Sequence, residues 1–229
     1  VNVEYAKLGL RGITIVVASG DAGAPGRTDE LCATQSVHAV FPGGSPFVTS
    51  VGATFVQVDD TMKSWKTPLC QNYGCNSGIK QFPTNFVNQS WTTGGGFSNY
   101  SSRPKWQQNV VNNYVSSGVH LPPSCNKNGR GYPDVALVGH NCPIVSQGKV
   151  VGVDGTSCSA PIFATILALL DDYQKQRGRP ALGFVNPLLY KMYHTFTDIT
   201  DGNNHCTEYQ CCDEEYGYLA TDGWDAVSG

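Results

Sequence analysis

The chain has 229 residues, with 15 Lys+Arg against 18 Asp+Glu and a formal net charge of −3. That balance lacks the basic surplus a nucleic-acid binder uses to neutralise phosphates, while 40% hydrophobic and 10% aromatic residues argue for a folded globule and against disorder. The longest apolar stretch, Ala160 to Leu170, is roughly half the ~20 residues a membrane span needs, and the first residues do not read as a signal peptide.

Val1 to Leu10 carries apolar residues at Val1, Tyr5 and Leu8, one helical turn apart, and predicts a helix without an N-cap. Ile13 to Ser19 is a β-branched, nearly continuous apolar run, as in a buried parallel strand. Gly20 to Gly23 follows as a loop at its C-terminal end. Phe47 to Val58 predicts one or two further strands, and Gln57 to Gly94 an irregular surface excursion. Pro104 to Val115 reads as a short helix, and Val135 to Val138 and Lys149 to Val153 as short buried strands. Ser157 to Gln176 is the strongest helix pattern, stopped by Gly178, with Pro161 expected in its first turn. Asn186 to Tyr193 predicts a second helix with Pro187 in its first turn, and the last 35 residues read as polar loops. Strands alternating with helices imply a single α/β domain over residues 1–229 with a mostly parallel sheet flanked by helices.

Nine cysteines point to an oxidising compartment. No C-x-x-C pair is present, which argues against zinc. The sequons at Asn88 and Asn99 agree with a secretory route. The odd count leaves at least one thiol outside the chain's own disulfides. Cys158 is the candidate free thiol, Cys70–Cys75 and Cys125–Cys142 are plausible local bridges, and connectivity stays open at this stage.

The string Val151 to Pro161 runs from a strand through a Gly turn into the apolar helix and places Ser157 at the helix N-terminus. Free backbone N–H groups there can hold a developing oxyanion. On Ser157 alone the plainer reading is an N-cap. Gly94 to Gly96 reads by itself as a flexible turn, although glycines also let a substrate backbone approach closely. Asp134 reads as a structural turn cap.

Six segments together are more specific: Ser19-Gly-Asp21-Ala-Gly23, Gly94-Gly-Gly-Phe-Ser98, Tyr132-Pro-Asp134-Val-Ala136, Gly155-Thr-Ser157-Cys-Ser-Ala-Pro161, Leu182-Gly-Phe184-Val-Asn-Pro187 and Gly223-Trp-Asp225. In this order they resemble the sedolisin, or serine-carboxyl peptidase, family of the subtilisin-like superfamily, and within it the lysosomal tripeptidyl-peptidase I branch. The resemblance implies a subtilisin-like fold, a peptide or protein substrate, production as a zymogen and a secreted or lysosomal location. It makes Ser157 the nucleophile, Asp21 the oxyanion stabiliser and Gly94, Gly95 and Gly96 part of the substrate cleft. It also implies that Cys32 reaches Cys211 or Cys212.

Asp21 separates two protease classes. Subtilisins carry Asn at the matching position, and its amide donates to the oxyanion. An ionised carboxylate has no proton to give, so Asp21 serves only when protonated, in acid or with a raised pKa. None of the five histidines sits in a His-Gly-Thr setting, and imidazole is charged in acid and cannot accept a proton. The resemblance makes the base a Glu, oriented by an Asp four residues later on one helix. Only Glu4 precedes Asp21 among acids, so this pair is expected from an N-terminal portion of the same enzyme, with the chain as the C-terminal part of the catalytic domain.

The resemblance further implies one structural Ca²⁺ that staples the loop-rich C-terminus, held by the carboxylates of Asp198 and Asp225 and the carbonyls of Ile199, Thr221 and Gly223. Thr221 stands where the family has Gly. By themselves these residues read as solvated turn acids. The function expected is acid-acting hydrolysis of peptide bonds, by tripeptide release from free N-termini or by internal cleavage. The alternatives are a non-catalytic fragment that binds peptides and lacks its base, and a subtilisin with an unrecognised His.

Overall fold

The computed structural model describes residues 1–59 and 78–229. The expected Cys70–Cys75 bridge falls outside the described residues. The elements in chain order are α1 (Asn2–Leu10), β1 (Val16–Ala18), β2 (Thr49–Asp59), β3 (Gly78–Pro83), α2 (Phe86–Gln89), β4 (Gly96–Ser102), α3 (Gln108–Ser116), β5 (Gly129–Tyr132), β6 (Val135–Val138), β7 (Cys142–Ser146), β8 (Lys149–Val153), α4 (Thr156–Gln176) and α5 (Asn186–Lys191).

β2 is the centre of the main sheet. β1 pairs with it in parallel from Val16–Thr49 to Ala18–Val51, and β6 in parallel from Val51–Val135 to Thr54–Val138. β3 pairs antiparallel with the second half of β2, so the sheet is mixed, with its parallel part where the apolar runs predicted it. The excursion read as irregular therefore contains a strand and the short helix α2, capped by Asn85 accepting from the Asn88 N–H at 3.2 Å.

α4 packs across β1, β2 and β6. Its Ala160, Phe163 and Leu167 are buried with Val51 of β2, Val135 of β6 and Val185 ahead of α5. A second core gathers Phe97, Val111, Tyr114, Tyr218 and Trp224 from β4, α3 and the C-terminal loops. Phe97 lies 6.0 Å from Trp224 in an edge-to-face pair. The aromatic residues of the C-terminal loops thus supply a core that their polar composition conceals.

Three expectations are corrected. β1 is half-buried rather than buried. Lys149 to Val153 is a strand, but an exposed one, paired antiparallel with β7 across Gln147–Gly148. Both turn residues have φ near +50° and +74°, as a tight hairpin requires. Pro161 is the sixth residue of α4 and not in its first turn, because the helix begins at Thr156. A proline there has no N–H for the Ser157 carbonyl, so the helix forgoes one hydrogen bond beside the candidate nucleophile.

Disulfides join Cys32–Cys212, Cys142–Cys158 and Cys206–Cys211. The reach of Cys32 to the C-terminal region is as expected. Cys158 is not free, and Cys125 does not pair with Cys142. Tertiary structure brings β7 to the start of α4, and half-buried Cys125 has no disulfide partner among the described residues. No described helix is long and apolar enough to cross a membrane.

Candidate active site

β1 ends at Ala18, and Ser19 to Gly23 turns back beside the segment Thr92 to Gly96. The Gly94 N–H donates to the Gly20 carbonyl at 2.7 Å, the Thr92 N–H to the Asp21 carbonyl at 3.1 Å, and the Gly23 N–H to the Thr92 carbonyl at 3.0 Å. Asp21 therefore sits in a backbone clamp. The clamp needs glycine: a Cβ on Gly94 would meet the Ser19 carbonyl oxygen at 2.7 Å, and one on Gly95 would meet the Ala226 carbonyl oxygen at 2.1 Å. Gly94, Gly95 and Gly96 are all buried. Close internal packing accounts for the three glycines, and the segment is not an exposed turn.

On the other side of the site, β6 leads to Gly139, whose carbonyl accepts the Gly155 N–H at 2.9 Å. A side chain at Gly139 would collide with the Ser159 Oγ and the Ala53 Cβ. Ser159 Oγ donates to the Leu137 carbonyl at 3.0 Å. These contacts bring the first turn of α4 against the end of β6 and, through it, close to Asp21.

Asp21 and the start of α4 meet directly. Asp21 Oδ1 accepts the Thr156 N–H at 2.7 Å and the Thr156 hydroxyl at 2.7 Å. A carboxyl group 135 residues away thus caps the helix. The N-cap position itself is Gly155, with no side-chain cap bond. Ser157 is the second residue of the helix, exposed. No hydrogen bond joins its hydroxyl to a described residue. It is not spent as a cap and is free to react. Gly155 adopts φ +139°, and a Cβ there would lie 3.4 Å from Asp21 Oδ2 and 3.5 Å from the Ser157 nitrogen. Asp21 Oδ1 lies 3.6 Å from the same point, so the Asp21 carboxyl and the Ser157 nitrogen both border the space beside Gly155, whose positive φ and not a clash calls for glycine. A protonated Asp21 and the Ser157 N–H would put two donors beside this space, as an oxyanion needs.

No described histidine hydrogen-bonds Ser157. His140 instead lies 2.9 Å from the Asp154 carboxylate in the approach to Gly155. The motif around Ser157 contains Thr156 but assigns it no role. Its hydroxyl carries no distinguishing pattern, and only the return of α4 to Asp21 reveals it.

Asp134 is more than a turn cap. It is fully buried with Arg130, whose guanidinium donates to it at 2.5 Å. The Ser50 N–H donates to Asp134 Oδ2 at 2.8 Å, Tyr190 Oη to Oδ1 at 2.8 Å and Asn186 Nδ2 to Oδ2 at 3.3 Å. Arg130 also donates to the carbonyls of Ser45 and Val48. This ion pair ties the starts of β2 and β6 to α5.

The C-terminal acids Asp198 and Asp225 each bond the turn from Thr221 to Gly223, one from an exposed and one from a buried position. Asp198 Oδ2 accepts the Gly223 N–H at 2.8 Å. Asp225 is fully buried, and its oxygens accept the N–H groups of Thr221, Val227 and Ser228 at 3.1, 2.9 and 2.7 Å. Burial, opposed by these donors, pushes the Asp225 carboxyl up to about 7. Thr221 is not among the residues of positive φ, so its backbone needs no glycine. Two carboxylates with adjacent carbonyls suit a hard cation, and a buried acid without a counter-charge is a place where one would be favourable. His205 lies beside Cys206 and Cys211, but those sulfurs are joined in a disulfide and offer no thiolate. Asn88 and Asn99 are both exposed.

A cavity of about 1070 Å³ opens between β6, α4 and the stretch after α5, lined by Val138, Ile162, Ile166 and Tyr193 among others. Neither Asp21 nor Ser157 lines it.

No protein-family model matches the chain. The chain is 43% identical over its full length to physarolisin of Physarum polycephalum and 37% identical to human tripeptidyl-peptidase 1. The alignments cover 41% and 37% of those proteins, so the chain spans about two fifths of the length of the curated relatives it matches. Among solved structures, Pseudomonas sedolisin, a serine-carboxyl proteinase complexed with two molecules of pseudo-iodotyrostatin, matches with a TM-score of 0.72 at 25% identity. That match covers all of this chain and 55% of the sedolisin chain.

Proposed function

Since the chain belongs to the sedolisin family of serine-carboxyl peptidases, we propose that it carries the nucleophile and the oxyanion-binding half of a peptide-hydrolysing site that works in acid. The single observation that carries the reading is that the Asp21 carboxyl and the Ser157 nitrogen border the same space beside Gly155.

Ser157 Oγ attacks the carbonyl carbon of a peptide bond. The new C–O bond forms as the carbonyl electron pair moves onto oxygen, and the Ser157 proton passes to a carboxylate base. Protonated Asp21 and the Ser157 N–H stabilise the resulting oxyanion. The base returns its proton to the departing amine as the C–N bond breaks. Water then repeats the sequence on the acyl ester and frees Ser157. Nothing among the described residues contacts Ser157 as a base. The base is proposed to be a Glu, oriented by an Asp, from the length of protein that the relatives have and these 229 residues do not span. Gly94 to Gly96, clamped to Gly20, would form the cleft wall on the Asp21 side.

Release of tripeptides from free N-termini is the finer proposal, supported by the likeness to a protein named tripeptidyl-peptidase. The three disulfides and two exposed sequons support a secretory or lysosomal route. The carboxylates of Asp198 and Asp225 with the carbonyls of Ile199, Thr221 and Gly223 are proposed to hold a structural Ca²⁺, which would supply the positive charge that buried Asp225 lacks.

The test is peptide hydrolysis by the complete protein between pH 3 and 8, with and without Ser157→Ala, together with a mass search for an acyl-enzyme. Activity confined to acid and abolished by Ser157→Ala is expected. Peptide binding with no acyl-enzyme at any pH would favour a non-catalytic binder, and full activity in Ser157→Ala would overturn the mechanism.

A further inference from the structure

Thr156 is fully buried, and its hydroxyl both donates and accepts. Its hydroxyl oxygen accepts the Gly20 N–H at 3.2 Å, and its single hydrogen is directed to Asp21 Oδ1 at 2.7 Å. The Thr156 backbone N–H, which can only donate, reaches the same Oδ1 at 2.7 Å. Asp21 Oδ1 is thus a double acceptor, while Oδ2 has no protein donor among the described residues.

From this we infer that Thr156 is a positioning residue that places the acid proton of Asp21 on Oδ2, the oxygen that no described donor occupies. The inference rests on the reading of Asp21 as a protonated oxyanion donor. A proton on Oδ1 would have to donate to the Thr156 hydroxyl. That hydroxyl already accepts from Gly20, so its own hydrogen would turn into a buried space with no acceptor among the described residues. An unsatisfied buried donor is costly. With the proton on Oδ2, the Thr156 hydroxyl and N–H both keep Oδ1 as their acceptor, and the Asp21 O–H is left free of the protein's own bonds for an oxyanion to accept. The Thr156 hydroxyl touches neither substrate nor oxyanion. It acts by deciding which oxygen of Asp21 is a donor, and so prepares a carboxylic acid to do the work of an amide N–H.

Two experiments on the complete protein test this. In a neutron structure of the Ser157→Ala protein in acid, the exchangeable deuteron is expected on Asp21 Oδ2. A deuteron on Oδ1 would overturn the inference, and this readout does not depend on catalysis. In the active enzyme, Thr156→Val keeps the shape and removes the hydroxyl. It is expected to lower kcat on the order of 10-fold with KM little changed. It should also move the alkaline limb of the pH profile upward, because ionised Asp21 loses one of its donors. Thr156→Ser should restore both, and matched melting temperatures would separate positioning from misfolding. Wild-type kcat and pH profile in Thr156→Val would overturn the inference. Loss of the reaction reading itself would appear separately, as activity persisting in Ser157→Ala.

Discussion

Asp21 and Thr156 lie 135 residues apart and are joined by two hydrogen bonds of 2.7 Å, both onto Asp21 Oδ1. The contact links the loop after β1 to the first turn of α4. It caps that helix beside Ser157 and leaves the other carboxyl oxygen without a described donor. In the proposed mechanism this one carboxyl group would serve both stability and catalysis.

Asp21→Asn and Asp21→Ala in the complete enzyme should separate these roles. Asn keeps an acceptor for Thr156 and offers a permanent N–H donor, so its activity should extend toward neutral pH. Ala removes the donor and should lower kcat by about 10²–10³. Initial rates across pH 3 to 8 check this. Equal activity in Asp21→Ala and wild type would exclude Asp21 from the reaction.

The Cys142–Cys158 disulfide closes a loop of 16 residues that carries β7, β8, Gly155 and Ser157. A loop of that length contributes about 3 kcal/mol in the chain-entropy account. Cys142→Ser with Cys158→Ser should lower the melting temperature by several degrees and loosen the segment that holds the nucleophile. Calorimetry and hydrogen exchange over residues 142–158 measure both effects, and unchanged exchange would count against a role in rigidity.

Asp134→Ala leaves the Arg130 guanidinium buried without its counter-ion. Breaking such a pair costs about 3–5 kcal/mol, enough to unfold many domains at physiological temperature. Replacing both partners by apolar residues of similar volume should be milder. Urea denaturation of the single and paired variants tests this, and a larger loss in the paired variant would mean the ion pair itself is net stabilising.

The Asp225 carboxyl is pushed up to about 7 from an ordinary value of 3.8, chiefly by burial. A folded-state value above the unfolded one means the folded state holds the proton more tightly. This contribution to stability is therefore complete below about pH 4 and is lost as pH rises toward 7, by on the order of 4 kcal/mol without a cation. A bound Ca²⁺ would replace that proton, so the gain in melting temperature from Ca²⁺ over a chelator should be larger at pH 7 than at pH 4. A calcium effect absent at both pH values would remove the proposed site, and Asp225→Asn should flatten the pH dependence.

Much of the frame was legible because burial leaves a periodic trace. The apolar runs at Ile13 to Ser19 and Val135 to Val138 and the long pattern from Ser157 marked β1, β6 and α4 within a few residues. The β7–β8 hairpin misled because Lys149 to Val153 is apolar enough to read as buried, while its antiparallel partner carries no strong pattern. The cysteines were read by spacing, and spacing favoured Cys125–Cys142. The fold instead folds β7 back on the start of α4 and brings Cys142 to Cys158.

Composition and local pattern determined the class of fold, the oxidising environment and the order of the motifs, because each depends on residue type and near neighbours. Ser157 and Asp21 stood out in the sequence because they are reactive groups in rare strings. Thr156, Gly139 and the Arg130–Asp134 pair did not, because their roles exist only once β6, α4 and the loop after β1 converge. Which oxygen of Asp21 can hold a proton was decided by tertiary structure alone: hydrogen-bond donors fill directions in space, and the sequence orders residues without pointing them.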